Sequence, residues 1–187
     1  MKYDSVLALL DTTPIVYVDC GARAGSAPAW LKPAKTSEYI GIEADQAECD
    51  RLTARGKERH RYISAVLGRA KEARTLHVTR NPSCSSLLPP NAQALTAFSE
   101  LRDFFIVERE LPVTTVTLDD SLQSHEIRYA DFLELDVQGA ELDVLAGAER
   151  LLSDSVLGLQ VEVEFVEMYR RQPLFGDVDA FLRARGF

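Results

Sequence analysis

The sequence predicts an α/β fold, a mostly parallel sheet with flanking helices, and three observations carry that expectation. Short β-favouring runs alternate with helix-patterned stretches along the 187 residues, as strands joined by right-handed helical crossovers do. The first run, Ile15-Val16-Tyr17-Val18, is continuously apolar, as a strand buried on both faces requires. It feeds the turn Asp19-Cys20-Gly21-Ala22-Arg23-Ala24-Gly25, and later runs end in Glu43 and Asp136. Acids at strand ends matter because open parallel sheets bind ligands beyond the carboxyl ends of their strands.

The elements follow in order. The start, 1–14, reads as a short amphipathic helix and makes a poor signal peptide. After the first strand, a short helix is expected through Ala29, Trp30 and Leu31, bounded by Pro28 and Pro33. A second strand covers 38–43. A helix covers 46–56, with Asp45 as its cap and Gly56 as its terminator. Further strands are expected at 61–67 and 75–79. A loop spans 81–86, Pro89-Pro90-Asn91 starts a helix through Phe98, and 105–118 reads as one or two strands broken near Pro112. Residues 119–124 suggest a helical turn, 131–136 a strand, 141–152 one amphipathic helix, 156–165 a strand and 178–185 a last helix. No repeat, low-complexity tract or linker interrupts the series, so 1–187 reads as a single domain.

Composition narrows the function. A formal net charge of -8 repels phosphate backbones and anionic bilayers, which argues against nucleic-acid and membrane partners. No apolar run approaches the ~20 residues of a membrane helix. The three cysteines, Cys20, Cys49 and Cys84, are too few for a disulfide framework and fit no zinc spacing, which suggests a reducing, cytoplasmic setting. No metal site is expected.

The glycine turn has the spacing Gly-x-x-x-Gly with an acid before it. A dinucleotide fingerprint would be Gly-x-Gly-x-x-Gly, which seats a pyrophosphate on a helix N-terminus. S-adenosyl-L-methionine has no phosphate and carries a cationic ammonium, which suits an acid at that position. Glu43, about 20 residues after the glycine turn, is placed to accept both hydroxyls of a ribose. Asp136 ends a strand expected beside the first, facing the cleft. Glu141 either favours an anion-loving helix start or simply caps the turn. In the run 157–165, Gln160, Glu162 and Glu164 alternate with apolar residues, so this strand either has a wet edge or contributes carboxylates to the cleft. His60, His77 and His125 are scattered, and Ser83, Ser85 and Ser86 lack a hydrolase elbow. Tyr169, Arg170 and Arg171 either grip an acceptor or form a solvated face.

The segments Val18-Asp19-Cys20-Gly21, Gly41-Ile42-Glu43-Ala44, the run 81–89, Thr117-Leu118-Asp119-Asp120, the run 131–141, and Glu162-Val163-Glu164-Phe165 with Met168-Tyr169 together resemble the FkbM-type methyltransferases over nearly the whole chain. That family has the Rossmann-like class I methyltransferase fold. The resemblance implies O-methylation, with S-adenosyl-L-methionine as cofactor and a small-molecule or carbohydrate hydroxyl as acceptor: a sugar, a polysaccharide or a polyketide-type natural product. It implies that Asp19, Gly21 and Gly25 border the methionine moiety, Glu43 the ribose, Ala65 and Val66 the adenine, and that Asp136 faces the reacting end. Removal of the acceptor proton needs a base, for which the candidates are Asp136, then Glu164, then His77. The rivals are a non-catalytic methyltransferase-like binding module and, lacking its third glycine, a nicotinamide-dependent oxidoreductase.

Two departures from the family stand out. Glu134 occupies a position where members often carry Lys. The antiparallel hairpin that closes the family's sheet should begin where the sequence stops, at Gly186-Phe187, so either the sequence is truncated or the fold is shortened; without the hairpin the strand at 156–165 would be an open edge able to pair with a second copy. Sedimentation velocity at rising concentration should therefore show a growing dimer; a single monomer species throughout would contradict it.

Overall fold

The computed structural model describes residues 13–23, 25 and 37–187. The helices expected at the start of the chain and around Trp30 lie outside the described residues. A five-stranded sheet organises the rest. Its strands are β1 (Ile15–Cys20), β2 (Ser37–Glu43), β3 (His60–Ser64), β6 (Phe132–Leu135) and β7 (Gly158–Val161), in the order β3-β2-β1-β6-β7. Every pairing is parallel. β1 is central, and Val16 through Cys20 are all buried, as its uninterrupted β-favouring run requires.

The two faces of this sheet differ. On one, Val18 and Cys20 of β1, Ile40 and Ile42 of β2, and Leu133 and Leu135 of β6 join the main apolar core. It is covered by helices α3 (Leu118–Ser124), α4 (Glu141–Ala146), α5 (Glu149–Asp154) and α6 (Phe175–Arg183), which contribute Leu122, Val144, Leu145, Leu151 and Val178. Each such buried aliphatic side chain contributes roughly 1.5–3 kcal/mol. The other face is aromatic and polar. Tyr17 and Tyr39 stack at 6.1 Å and Tyr39 meets Tyr62 edge-on at 5.8 Å. Tyr17 donates a short hydrogen bond to Glu134, whose other oxygen accepts from Gln160 at 3.1 Å. Gln160 therefore belongs to this network.

Several elements differ from expectation, each for a local reason. Helix α1 (Gln46–Thr53) starts where Asp45 accepts from the Ala47 N–H at 3.0 Å, but it ends ahead of Gly56. β3 stops at Ser64 because the chain then turns outward, with Val116 N–H bonding Val66 O at 2.9 Å. Between β3 and β6 stands a separate antiparallel ribbon of β4 (Ala73–Thr79) and β5 (Val107–Thr114). Pro112 does not break β5. It pairs with Thr75 of β4, the one partner strand that β5 has among the described residues, and at such an edge a missing N–H is tolerated. α2 (Ala92–Leu95) is shorter than expected; Asn91 caps it. β7 ends at Val161, so Glu162 and Glu164 lie beyond the strand. Among the described residues β7 is the outermost strand on its side.

The single helix expected over 141–152 is two. Gly147 ends α4 because its Cα packs on the backbone of Gly68: a Cβ there would sit 2.4 Å from Gly68 O. Asp119 then starts α5, its carboxylate accepting from Arg150 N–H at 2.8 Å and Leu151 N–H at 3.2 Å. Asp119→Ala should cost about 1 kcal/mol and lower the melting temperature by roughly 2–4 °C in a chain of this size. Asp119→Asn, which keeps an acceptor, should lose much less; equal losses in calorimetric melting would contradict the capping role.

Candidate active site

Past the carboxyl ends of β1, β2, β3 and β6 lies a cavity of about 390 Å³, within the ~300–1,000 Å³ of small-molecule sites. Its floor is built by a close approach of two backbone segments. Gly21 follows β1 with φ +103°, and a Cβ there would lie 1.9 Å from the carbonyl oxygen of Asp136. Only a residue without a side chain lets the ends of β1 and β6 meet this way.

One wall comes from β2 and the segment after β3. Glu43, Ala65 and Val66 line it. Glu43 is nearly buried (7% exposed). Its Oε1 accepts from the Asp45 N–H at 3.0 Å and lies 3.5 Å from the Arg23 guanidinium. Burial pushes the carboxyl up, while the Asp45 N–H and the Arg23 charge pull it down. Glu43 Oε2 has no hydrogen-bond partner among the described residues. Arg23 also pairs with Asp45 at 3.1 Å, so its charge is neutralised from two sides.

The opposite wall is the turn after β6. Asp136 lines the cavity, and its Oδ1 accepts from Gln138 Nε2 at 2.6 Å. The same amide nitrogen reaches Glu162 Oε2 at 2.9 Å. Gln138 holds φ +57°, an uncommon state for a residue with a side chain, and the surroundings fix it there. Ser86 Oγ donates to Gln138 O at 2.5 Å. The Tyr169 hydroxyl lies 2.8 Å from both Gln138 Oε1 and Cys84 O. Glu141 caps the turn, its Oε1 accepting from the N–H groups of Val137 and Gly139, both at 3.0 Å. Burial pushes the Glu162 carboxyl up to about 8, and its hydrogen bond to Asp136 and that residue's charge add to the shift.

The third wall is the β4–β5 ribbon, which presents Leu76, Val78, Arg109 and Leu111 to the cavity. The ribbon is tied to the sheet through Ser86, which bridges to His77 on one side and bonds Gln138 on the other.

Of the residues singled out by sequence, Gly21, Glu43, Ala65, Val66 and Asp136 line this one cavity. Asp19 does not line it. It lies one residue inside β1, where the Tyr39 hydroxyl donates a short hydrogen bond to it. Burial raises its carboxyl to about 7, against that hydrogen bond, with Glu134, Asp136 and Glu43 adding to the rise. Gly25 packs instead beside Leu52 and Tyr62. His77 alternates with Leu76 and Val78, so it faces the other side of the ribbon, 3.2 Å from Glu110. Glu164 sits past β7, outside the cavity lining, its carboxyl raised first by burial and then by Asp136. His60 stacks on Tyr39 at 4.8 Å and His125 bonds Ser121 O at 2.8 Å. Tyr169 is buried in the Gln138 network and is not free to grip an acceptor, while Arg170 and Arg171 are exposed. Arg23, Gln138 and Arg109 emerge only from the structure. No metal cluster occurs among the described residues, and no described helix is long and apolar enough to cross a membrane.

A parallel sheet whose glycine turn and acid-ended strands open on one cavity is consistent with the Rossmann-like fold of the methyltransferases. A model of the FkbM methyltransferase domain matches residues 19–187. No curated protein and no solved structure matches the chain. The chain belongs to the FkbM methyltransferase family.

The Glu162 shift has a consequence for stability. Its folded carboxyl titrates at about 8 against an ordinary 4.5, so across that window the folded chain holds a proton that the unfolded chain releases. Stability therefore falls as pH rises through the window, and Asp19 adds to the fall up to about 7. The melting temperature should drop between pH 5 and pH 8, and drop less in Glu162→Gln; identical slopes in the two proteins would contradict the assignment.

Proposed function

We propose that the chain is an S-adenosylmethionine-dependent O-methyltransferase acting on a hydroxyl of a sugar, polysaccharide or other natural product. One observation carries the reading: a single cavity has Glu43 Oε2, without a partner among the described residues, on one wall and the Asp136 carboxylate on another.

The residues fit that cofactor chemically. A ribose diol donates hydrogen bonds, and Glu43 Oε2 is available to accept them. Ala65, Val66 and Leu76 offer an apolar slot for adenine. Carboxylates at Asp45 and Asp136 suit a cationic ligand and would repel a pyrophosphate. Gly21 borders the methionine end. When bound, S-adenosylmethionine supplies an electrophilic methyl on a sulfonium.

The protein's part is positioning and proton transfer. Asp136 would take the proton of the acceptor hydroxyl while the acceptor oxygen bonds the methyl carbon, the carbon–sulfur bond breaks and S-adenosylhomocysteine leaves. The Gln138 amide fixes the orientation of that carboxylate, and burial, with Asp136 beside it, holds the neighbouring Glu162 carboxyl well above the ordinary carboxylate range. Glu164 and His77 are outside the cavity lining and take no part in this step.

Titration calorimetry should show binding of S-adenosylmethionine and S-adenosylhomocysteine, and none of NAD. Glu43→Ala should weaken that binding roughly ten- to hundredfold, the loss of a charged hydrogen-bond acceptor. Asp136→Asn should keep the affinity and lower kcat by about 10²–10⁴. An Asp136→Asn protein with normal turnover would remove Asp136 as the base. Binding without methyl transfer to any hydroxyl acceptor would favour a binding module over an enzyme.

A further inference from the structure

The ribbon wall of the cavity carries one charge that the reading above leaves unused. In an antiparallel ribbon, directly opposed residues and their neighbours two positions away share a face. Leu76 pairs with Leu111 and Val78 with Arg109, and all four line the cavity. To the cavity lining the ribbon thus contributes three aliphatic side chains and one guanidinium.

The other charges of the ribbon are paired elsewhere. His77 meets Glu110 at 3.2 Å, Arg80 meets Glu108 at 3.4 Å, and Arg74 meets Glu72 at 3.0 Å. Arg109 has no hydrogen bond or ion pair with any described residue. The second cation of the cavity lining, Arg23, is held by Glu43 and Asp45. Arg109 is exposed and lines the cavity beside aliphatic side chains, so its guanidinium is free to meet an anionic group of a bound ligand. Its planar fork matches the two oxygens of a carboxylate, or of a phosphate or sulfate.

The donor is an unsuitable source for that anion. Its carboxylate belongs to the methionine end, at the glycine turn, whereas Arg109 stands on the ribbon beside Val78, next to the Ser83–Ser85 segment that also lines the cavity. We propose that Arg109 is a specificity-determining residue that selects an acceptor bearing an oxyanion substituent, such as a uronate, beside the hydroxyl to be methylated. This rests on the assignment of the cavity as the methyl-donor site.

The test uses the whole chain saturated with S-adenosylhomocysteine and two matched probes, methyl β-D-glucuronide and methyl β-D-glucoside, with glucose 6-phosphate as a second anion. Ligand-observed NMR titration reads binding without any turnover. The glucuronide should bind about fivefold or more tighter than the glucoside, in line with a partly exposed ion pair. Arg109→Gln should abolish the difference, and Arg109→Lys should restore part of it. A phosphate arm that matches the glucuronide supports recognition of an oxyanion in general; one that fails restricts it to a carboxylate. Equal binding of charged and neutral sugars to the wild-type chain would overturn the proposal and leave the donor site intact. Weaker S-adenosylhomocysteine binding in Arg109→Gln would also overturn it, by making Arg109 a donor contact. If the wild-type chain does not bind S-adenosylhomocysteine at all, it is the donor-site reading that fails.

Discussion

The approach of Gly21 to the backbone of Asp136 governs the rest of the site. With a Cβ position only 1.9 Å from that carbonyl oxygen, the ends of β1 and β6 meet closer than any side chain permits. The approach brings the turn after β6 over the end of the central strand, opposite Glu43 on β2. Without it, the two carboxylates would line separate surfaces. The same contact lets Asp136 N–H bond Cys20 O at 2.9 Å, so the strand pairing continues right up to the cavity floor.

On that floor, Gln138 is the node. Its side chain spans Asp136 and Glu162, its carbonyl accepts from Ser86, and its amide oxygen meets Tyr169. A strained left-handed residue persists only where its neighbours over-determine it, and here they come from three separate parts of the chain. The consequence is mechanical: the ribbon wall and the carboxylate pair are held in one frame, so the wall cannot shift without disturbing the carboxylates. The polar face of the sheet contributes a second buffer of charge, with Asp19 held by Tyr39 and Glu134 by Tyr17. Glu134 there has partners that an acid needs, which accounts for its tolerance in the middle of a buried sheet.

Much of this was legible in the sequence. Strand runs, caps and the acids that end strands follow from local pattern, which places Asp19, Glu43 and Asp136 at one rim; of these Glu43 and Asp136, with Gly21, line the cavity. What pattern cannot show is which member of an alternating pair faces inward. His77 and its neighbours Leu76 and Val78 read alike until the ribbon's partner is known, and Arg109 was invisible for the same reason. Asp19 lies a single residue short of the strand end, enough to turn it from the cavity towards Tyr39. The break at Gly147 depends on a contact with Gly68, 79 positions away by numbering, which helical periodicity does not record. The left-handed backbone of Gln138 is likewise imposed by tertiary partners and has no local signature.

The central claim is that Glu43 and Asp136 face each other across one adenosyl-binding cavity. A crystal structure of the chain with S-adenosylhomocysteine addresses it directly. The account expects both ribose hydroxyls on Glu43, adenine against Ala65 and Val66, and the sulfur turned towards Asp136. A ligand seated elsewhere, or one whose sulfur points away from Asp136, would contradict it.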